Sequence, residues 1–367
     1  MIVYKRRLYA LLVKTFLLIN TAVFFTFSSF SQKKDSLHIS VNADAYASWF
    51  TQASNAKRPA YWVNYTGLNT AGLNLLAGSV HYRTNHFRTT LSAMAGEYAR
   101  QNLAAEDPLA RHIYEANVGY RFTSDEDIWL DVGVLPSHIG MESVAGIKNY
   151  AGTRNIISDI TPYYETGVRL SYTPNDEWYF AILALNGWQR ITAPFSAFGK
   201  NWGIQVTYRP NPHWIINSSS FIGEMPEYQY SERTRIYSNL FSTINLNPRM
   251  SVSAGWDWGI QGNRSMQWND LLFQYRYEIL HKKLSFTTRY EYLTDPAGLF
   301  LFKDASFKPK HHLTSVNFDY KSTENIMLRT ELNYLFANRS VLNSGPDLSD
   351  RQLSFFFIVS IQLNYKK

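Results

Sequence analysis

RQLSFFFIVSIQLNY, residues 351–365, sets Leu353, Phe355, Phe357, Val359, Ile361, Leu363 and Tyr365 at every second position. A period of two places all seven side chains on one face, which is the geometry of a strand. The opposite face carries Ser354, Ser360, Gln362 and Asn364 beside Phe356 and Ile358. One side therefore suits hydrocarbon and the other suits water or packed polar groups, the pattern of a strand in a membrane β-barrel.

The N-terminus says where such a strand could live. Lys5, Arg6, Arg7 and Lys14 precede an apolar stretch, Thr15 to Phe27, and then the small residues Ser28, Ser29 and Ser31 around Phe30. This order is that of a secretory signal peptide, residues 1–31, with cleavage expected before Gln32. An uncleaved anchor needs roughly 20 apolar residues, more than this core supplies. No other segment is continuously apolar for that length, which excludes a helical membrane protein.

Aromatic residues make up 16% of the chain, charged residues only 18%, and cysteine is absent. Tyr, Trp and Phe are what the interfacial girdles of a barrel need. A large soluble β-sandwich would also be aromatic-rich, so composition alone leaves that alternative open. The four cations of the N-terminal segment account for four of the formal +7 and leave +3 on the rest, which gives no reason to invoke nucleic acid.

Alternating segments recur along the whole remaining chain. They fall at 36–50, 70–84, 86–101, 111–122, 128–136, 163–173, 177–188, 200–209, 213–224, 234–246, 249–260, 267–280, 283–294, 311–322, 325–337 and 350–365. That is about sixteen strands, an even number as single-chain bacterial barrels require.

The connections alternate in length. Short ones, most with a turn-forming Asn, Asp or Pro, lie at 84–85, 123–127, 174–176, 210–212, 247–248, 281–282 and 323–324. Between them fall long ones at 51–69, 102–110, 137–162, 189–199, 225–233, 261–266, 295–310 and 338–349. Short periplasmic turns and longer extracellular loops produce that parity, whereas a soluble sandwich has no reason to. No linker or second domain is visible, so residues 32–367 read as one barrel.

Individual strands present the two faces clearly. Tyr114, Ala116, Val118, Tyr120 and Phe122 alternate with Glu115, Asn117, Gly119 and Arg121, and Trp202, Ile204, Val206 and Tyr208 alternate with Gly203, Gln205, Thr207 and Arg209. The later strands repeat Arg-x-Glu on the lumen face: Arg276 with Glu278, Arg289 with Glu291 and Arg329 with Glu331. The first two pairs are expected at similar depth. Unpaired charges in a dry interior are costly, so these groups must face water or satisfy one another. They read either as a ladder bracing the wall or as a transverse field across a solute path. Together with Glu115, Arg121, Glu165 and Arg169 they are the candidate pore-lining residues. Two segments fit less cleanly: 177–188 (EWYFAILALNGW) is apolar on both faces and 234–246 alternates weakly. Contact with a partner, an inward loop or a plug would explain both.

About sixteen strands leave room for an aqueous channel, where eight would be filled by their own side chains. The longest connection, 137–162, carries Glu142, Lys148, Arg154 and Asp159 and is the candidate constriction loop. A surface lid or adhesive loop is the alternative. Its GIKNYAG stretch, Gly146 to Gly152, is expected to turn sharply, because glycine tolerates positive φ.

The words PSHIGMES, PYYETGVRLSY and LNGWQRI, within Leu135 to Ile191, carry a family resemblance. This stretch resembles the putative β-barrel porin-2 (OmpL-like) family of outer-membrane proteins in Bacteroidota, and the strand rhythm matches over most of the rest. The resemblance implies an outer-membrane barrel with a porin role and no family catalytic residues.

Enzyme chemistry finds little support. Ser137-His138, His112 after Asp107, and His311-His312 are the available groups, and none sits in a nucleophile motif such as GxSxG. Adjacent His311 and His312 project to opposite faces of a strand and cannot easily share an ion, so no metal and no cofactor are expected. Trp256 and Trp258 of GWDWG read as membrane girdle rather than a sugar platform. The expectation is an outer-membrane porin of a Gram-negative bacterium, its termini periplasmic, passing small hydrophilic solutes, with outer-membrane lipid around it. A homotrimer is expected by analogy only. The rival reading is a non-conducting barrel that anchors or binds a surface partner.

Overall fold

The computed structural model describes residues 35–51, 62–192, 199–225, 233–262, 266–299, 310–337, 342–343 and 348–367. The expected signal peptide, 1–31, lies outside the described residues.

Sixteen antiparallel strands close into a barrel, each hydrogen-bonded to its sequence neighbours. They are β1 (Ser36–Phe50), β2 (Ala71–Arg83), β3 (Phe87–Ala95), β4 (Ile113–Arg121), β5 (Asp127–Pro136), β6 (Tyr164–Thr173), β7 (Trp178–Leu185), β8 (Asn201–Asn211), β9 (Trp214–Glu224), β10 (Thr234–Asn247), β11 (Met250–Gln261), β12 (Gln267–Leu280), β13 (Leu284–Thr294), β14 (Lys310–Lys321), β15 (Ile326–Ala337) and β18 (Arg351–Lys366). The two-residue strands β16 (Leu342–Asn343) and β17 (Leu348–Ser349) pair only with each other, in the connection before β18. The first and last barrel strands close the cylinder in register, with His38 opposite Lys366, Ala43 opposite Ile361 and Phe50 opposite Ser354. Closure leaves none of the sixteen barrel strands, among the described residues, with an open edge, the condition for a sheet to sit in lipid. Among the described residues no helix is long and apolar enough to cross a membrane, which has no bearing on crossing by strands.

In β18 the odd-numbered Phe355, Phe357, Leu363 and Tyr365 are exposed on the outside, while Gln352, Ser354, Phe356, Ile358 and Ser360 are buried inside. The same alternation exposes Leu91, Val118, Val132, Ile182, Ile204, Ile222, Leu271 and Leu332 around the wall. An apolar belt of that extent is a liability in water and a fit to hydrocarbon. Aromatic rings are added at its margin, as where Trp178 stacks on Tyr208 at 4.3 Å. Trp256 is exposed on the outer face of β11 while Asp257 turns inward to Tyr237 and Asn239. The weak alternation of β10 arises because Ser238 and Ser242 occupy outward positions, where they meet Ser220 and the Trp214 indole across the strand pairs.

Two expected strands end early: 177–188 at Leu185 and, further short, 86–101. The segment 86–101 holds β3 only to Ala95, and Gly96, at φ 115°, turns the chain into the short helix α1 (Glu97–Asn102). A left-handed φ of this kind favours glycine and stops the ladder. Gly133 and Gly167 stand opposite each other on β5 and β6 with φ of 130° and 159°, and a side chain on either would run into a neighbouring strand's carbonyl oxygen. They allow the sheet to pack closely at that point.

Candidate functional site

Within the connection 137–162 only Lys148 is exposed, and residues 151–159 are buried without exception. It contains a 3-10 turn, Gly146–Lys148, and one short α-helix, α2 (Ile156–Ile160), capped by the Asn155 side chain, which accepts from the Ser158 N–H. Irregular backbone out of water must find partners for its N–H and C=O groups. Here the inward faces of the wall provide them.

Arg329 of β15 donates to the carbonyls of Gly146, Asn149 and Tyr150 at 2.6, 2.9 and 3.2 Å, and its Nε donates to Asp319 of β14 at 2.7 Å. Arg289 of β13 donates to the Thr153 carbonyl and to Glu331, both at 2.9 Å, while Glu331 accepts from the Thr153 N–H. Both oxygens of Glu291 receive the first helical N–H groups of α2, from Ile156 and Ile157, at 2.8 and 2.9 Å. Asp44 of β1 accepts from the Gly146 N–H at 2.9 Å. Glu142, itself on the connection, accepts from the Asn155 N–H and from Gln274 of β12.

Apolar packing completes the contact. Ile139, Ile156 and Ile157 share a core with Leu183, Leu185, Phe221, Tyr237, Trp268, Leu293, Leu313 and Leu335 on the inner wall. The two-faced apolarity of 177–188 is thereby explained, since Ala181, Leu183 and Leu185 face this core and Phe180 and Ile182 are exposed outside. Val144 and Ala145 pack with Leu75, Met94, Tyr98 and Tyr164 on the opposite side.

The Arg-x-Glu residues thus meet across strands rather than along them. Register places Arg276 opposite Thr287 and Arg289 opposite Gln274, so the first two pairs are staggered instead of level. The reason is that neighbouring antiparallel strands run the motif in opposite senses. Arg276 pairs with Asp319 at 2.9 Å and Glu278 with the His281 ring at 3.2 Å. GIKNYAG does turn tightly, as a 3-10 turn at Gly146–Lys148, but without the positive φ expected of its glycines: neither Gly146 nor Gly152 has one. Gly146 is needed for space, because a Cβ there would lie 2.7 Å from the Tyr65 hydroxyl.

Of the four candidates on the connection, Lys148 is exposed and the other three are buried. Asp159 accepts from the backbone N–H groups of Val63 and Asn64 and from the Tyr163 hydroxyl. The Arg154 guanidinium lies 5.0 Å from the Tyr163 ring, and its three nitrogens have no hydrogen-bond partner among the described residues. Glu165 holds His138, a residue weighed in the sequence only for hydrolase chemistry.

At the end with the short turns the inner wall is more open. One cleft of about 310 Å³ is lined by Arg276, Glu278, Lys282, Lys283, Asp319 and Lys321. A second, of about 240 Å³, is lined by Arg88, Glu115, Asp131 and Arg169 among others. Arg121 sits nearby at a turn, 3.5 Å from Asp127. Asp44, Arg88, Asp131 and Asp319 were not singled out in the sequence, although each occupies an inward position of an alternating strand. Among the described residues no group of three or more His, Cys, Asp or Glu is placed to hold a metal ion.

A closed sixteen-strand cylinder with an apolar exterior and a polar, charged interior defines a porin-like β-barrel. The chain belongs to the family described as putative beta-barrel porin-2, OmpL-like, whose model matches residues 36–363. The family supports an outer-membrane location. Nothing among curated proteins matches the sequence. Among solved structures it is similar to the outer membrane channel DcaP of Acinetobacter baumannii, at 13% identity and TM-score 0.57, covering 91% of this chain and 100% of that one. It is also similar to OmpT, an outer membrane protein of Vibrio cholerae, at 8% identity and TM-score 0.55, covering 91% and 99%. A trimer form of OmpT aligns at 8% identity and TM-score 0.55, covering 90% and 100%. At such identities the likeness is one of fold.

Proposed function

We propose that this chain is an outer-membrane porin that passes small hydrophilic solutes by diffusion, with segment 137–162 folded inward as its constriction. Residues 1–31 act as the cleaved export signal in this reading. The observation that carries it is the set of hydrogen bonds from Arg289, Glu291, Arg329 and Glu331 to the backbone of that segment. Side chains that would otherwise line a wide lumen are committed to holding a loop across it, and what space remains sets the pore. The channel neighbours and the trimer form of OmpT favour a channel that assembles as a homotrimer. No catalytic role is assigned.

A second reading has its own support. The shared core of Ile139, Ile156 and Ile157 with apolar residues of the inner wall resembles the interior of a plugged barrel, which would anchor or bind a surface partner without conducting. Single-channel recording in planar bilayers separates the two. Discrete openings support the porin. A sealed bilayer despite folded, inserted protein supports the plug.

A further inference from the structure

We propose that the cleft beside Asp131, open toward the short-turn end of the barrel, is a binding site for small oxyanions bearing a carboxylate or phosphate group. Arg83, Arg88 and Arg169 line it around Asp131, with the Arg121 and Asp127 pair beside it. Arg88 and Arg169 lie 2.6 and 3.0 Å from Asp131, and Arg83 and Arg121 lie 3.7 and 3.5 Å from Asp127. Glu115 adds a second carboxyl to the lining. Even with that carboxyl ionised, the group retains an excess of positive charge. In a partly dehydrated cleft, such an excess calls for a counterion.

The donors are set for one. Asp131 uses both oxygens, Oδ1 for Arg88 Nε and Oδ2 for Arg88 Nη2 and for Arg169 Nε and Nη2. Each guanidinium is thus held along one edge, while Nη1 of both arginines has no hydrogen bond to any described residue. Trp129 stiffens the arrangement, with the Arg88 guanidinium 4.3 Å and that of Arg83 5.0 Å from its ring. Pinned, planar, partly exposed guanidinium groups are suited to planar oxyanions, because the fork geometry is paid for before the ligand arrives. The cleft volume of about 240 Å³ equals roughly eight waters at about 30 Å³ each, enough for a small organic acid or inorganic phosphate.

The site is tested at equilibrium, so its outcome is independent of whether the barrel conducts. The folded chain in detergent micelles is titrated calorimetrically with succinate in one arm and inorganic phosphate in the other, at low salt. Saturable binding of succinate alone marks a carboxylate site, of phosphate alone a phosphate site, and of both a general oxyanion site. Arg88→Lys, which keeps the charge but loses the fork, is expected to weaken binding about tenfold. Asp131→Asn releases guanidinium donors and is expected to tighten it several-fold, a gain that a purely structural role for Asp131 would not produce. No saturable heat with either anion, or weaker binding in Asp131→Asn that still folds, overturns the proposal.

Discussion

His138 and Glu165 form a buried pair in which both ring nitrogens are committed: Nδ1 lies 2.7 Å from Glu165 Oε2 and Nε2 lies 3.0 Å from the Ser220 carbonyl oxygen. A carbonyl can only accept, so the Nε2 contact requires a proton on Nε2, and the Nδ1 contact places a second proton between the ring and the Glu165 carboxyl. The residue follows β5, and the Ser219 hydroxyl donates to its carbonyl, so it ties the start of segment 137–162 to β6 and β9.

Burial lowers the imidazole pKa, but the Glu165 charge, its hydrogen bond and the Ser220 carbonyl outweigh it and raise the ring above its ordinary value. A pKa raised on folding stabilises the chain at pH below the ordinary imidazole range and ceases to do so as pH climbs through the raised value. Thermal stability in micelles is therefore expected to fall as pH rises above the ordinary imidazole range in the native chain, and this slope is expected to flatten in His138→Gln. Removing one partner of a buried pair costs about 3–5 kcal/mol, so His138→Gln should also lower the midpoint. A double variant with Glu165→Gln should recover part of that loss, read from the temperature at which the folded gel band disappears.

Gly203 of β8 makes room for the His138 ring. A Cβ at that position would lie 2.6 Å from both Cε1 and Nε2. Gly203→Ala is expected to destabilise the native barrel by about 1–3 kcal/mol, the usual cost of overpacking. In a His138→Ala background the same change should be nearly neutral, and equal costs in both backgrounds would show that the ring does not occupy that space.

Arg329 serves three carbonyls of segment 137–162. Arg329→Gln leaves most of those carbonyls and part of the Asp319 charge without a donor, so the 146–150 stretch should loosen while the strands remain. Limited proteolysis of reconstituted protein should cut within 137–162 faster than in the native chain, with far-ultraviolet circular dichroism unchanged. An unaltered cleavage rate would mean that the arginine does not hold the segment.

Ile204 lies on the outer face of β8 beside inward Gly203 and Gln205. Arginine on the lipid face near mid-membrane costs about 2–4 kcal/mol. Ile204→Arg should lower folding stability in phospholipid vesicles by that order, whereas an arginine at Gln205 should cost less because water can reach the inner face. Equal costs would remove the distinction between the two faces.

Much of this architecture was legible because a barrel strand is a local pattern: period two identifies the face, and Asn, Asp or Pro marks the turn. The strands at 36–50 and 267–280 were read to the residue, and most others to within one or two. The exit of β3 at Gly96 was missed because apolar and small residues continue into α1, and alternation alone does not reveal a change of φ. Arg289, Glu291, Arg329 and Glu331 were recognisable as inward charges, but their partners were not. Glu331 and Thr153 are 178 residues apart, and Asp319 sits between two arginines contributed by other strands. Such contacts depend on closure, which no single segment encodes. Parity did contain a usable signal for Asp131 and Asp319, since each is an acid at an inward position of an otherwise apolar-out strand.

The most direct measurement on segment 137–162 uses the absence of native cysteine. Thr153 Oγ1 lies 3.0 Å from Asn333 Nδ2, joining the connection to β15. In a Thr153→Cys, Asn333→Cys variant, mild oxidation of intact outer membranes should form an intramolecular disulfide, seen as loss of reactivity toward a thiol reagent and recovered on reduction. Two thiols that both stay reactive in correctly folded protein would contradict a segment held against the inner wall.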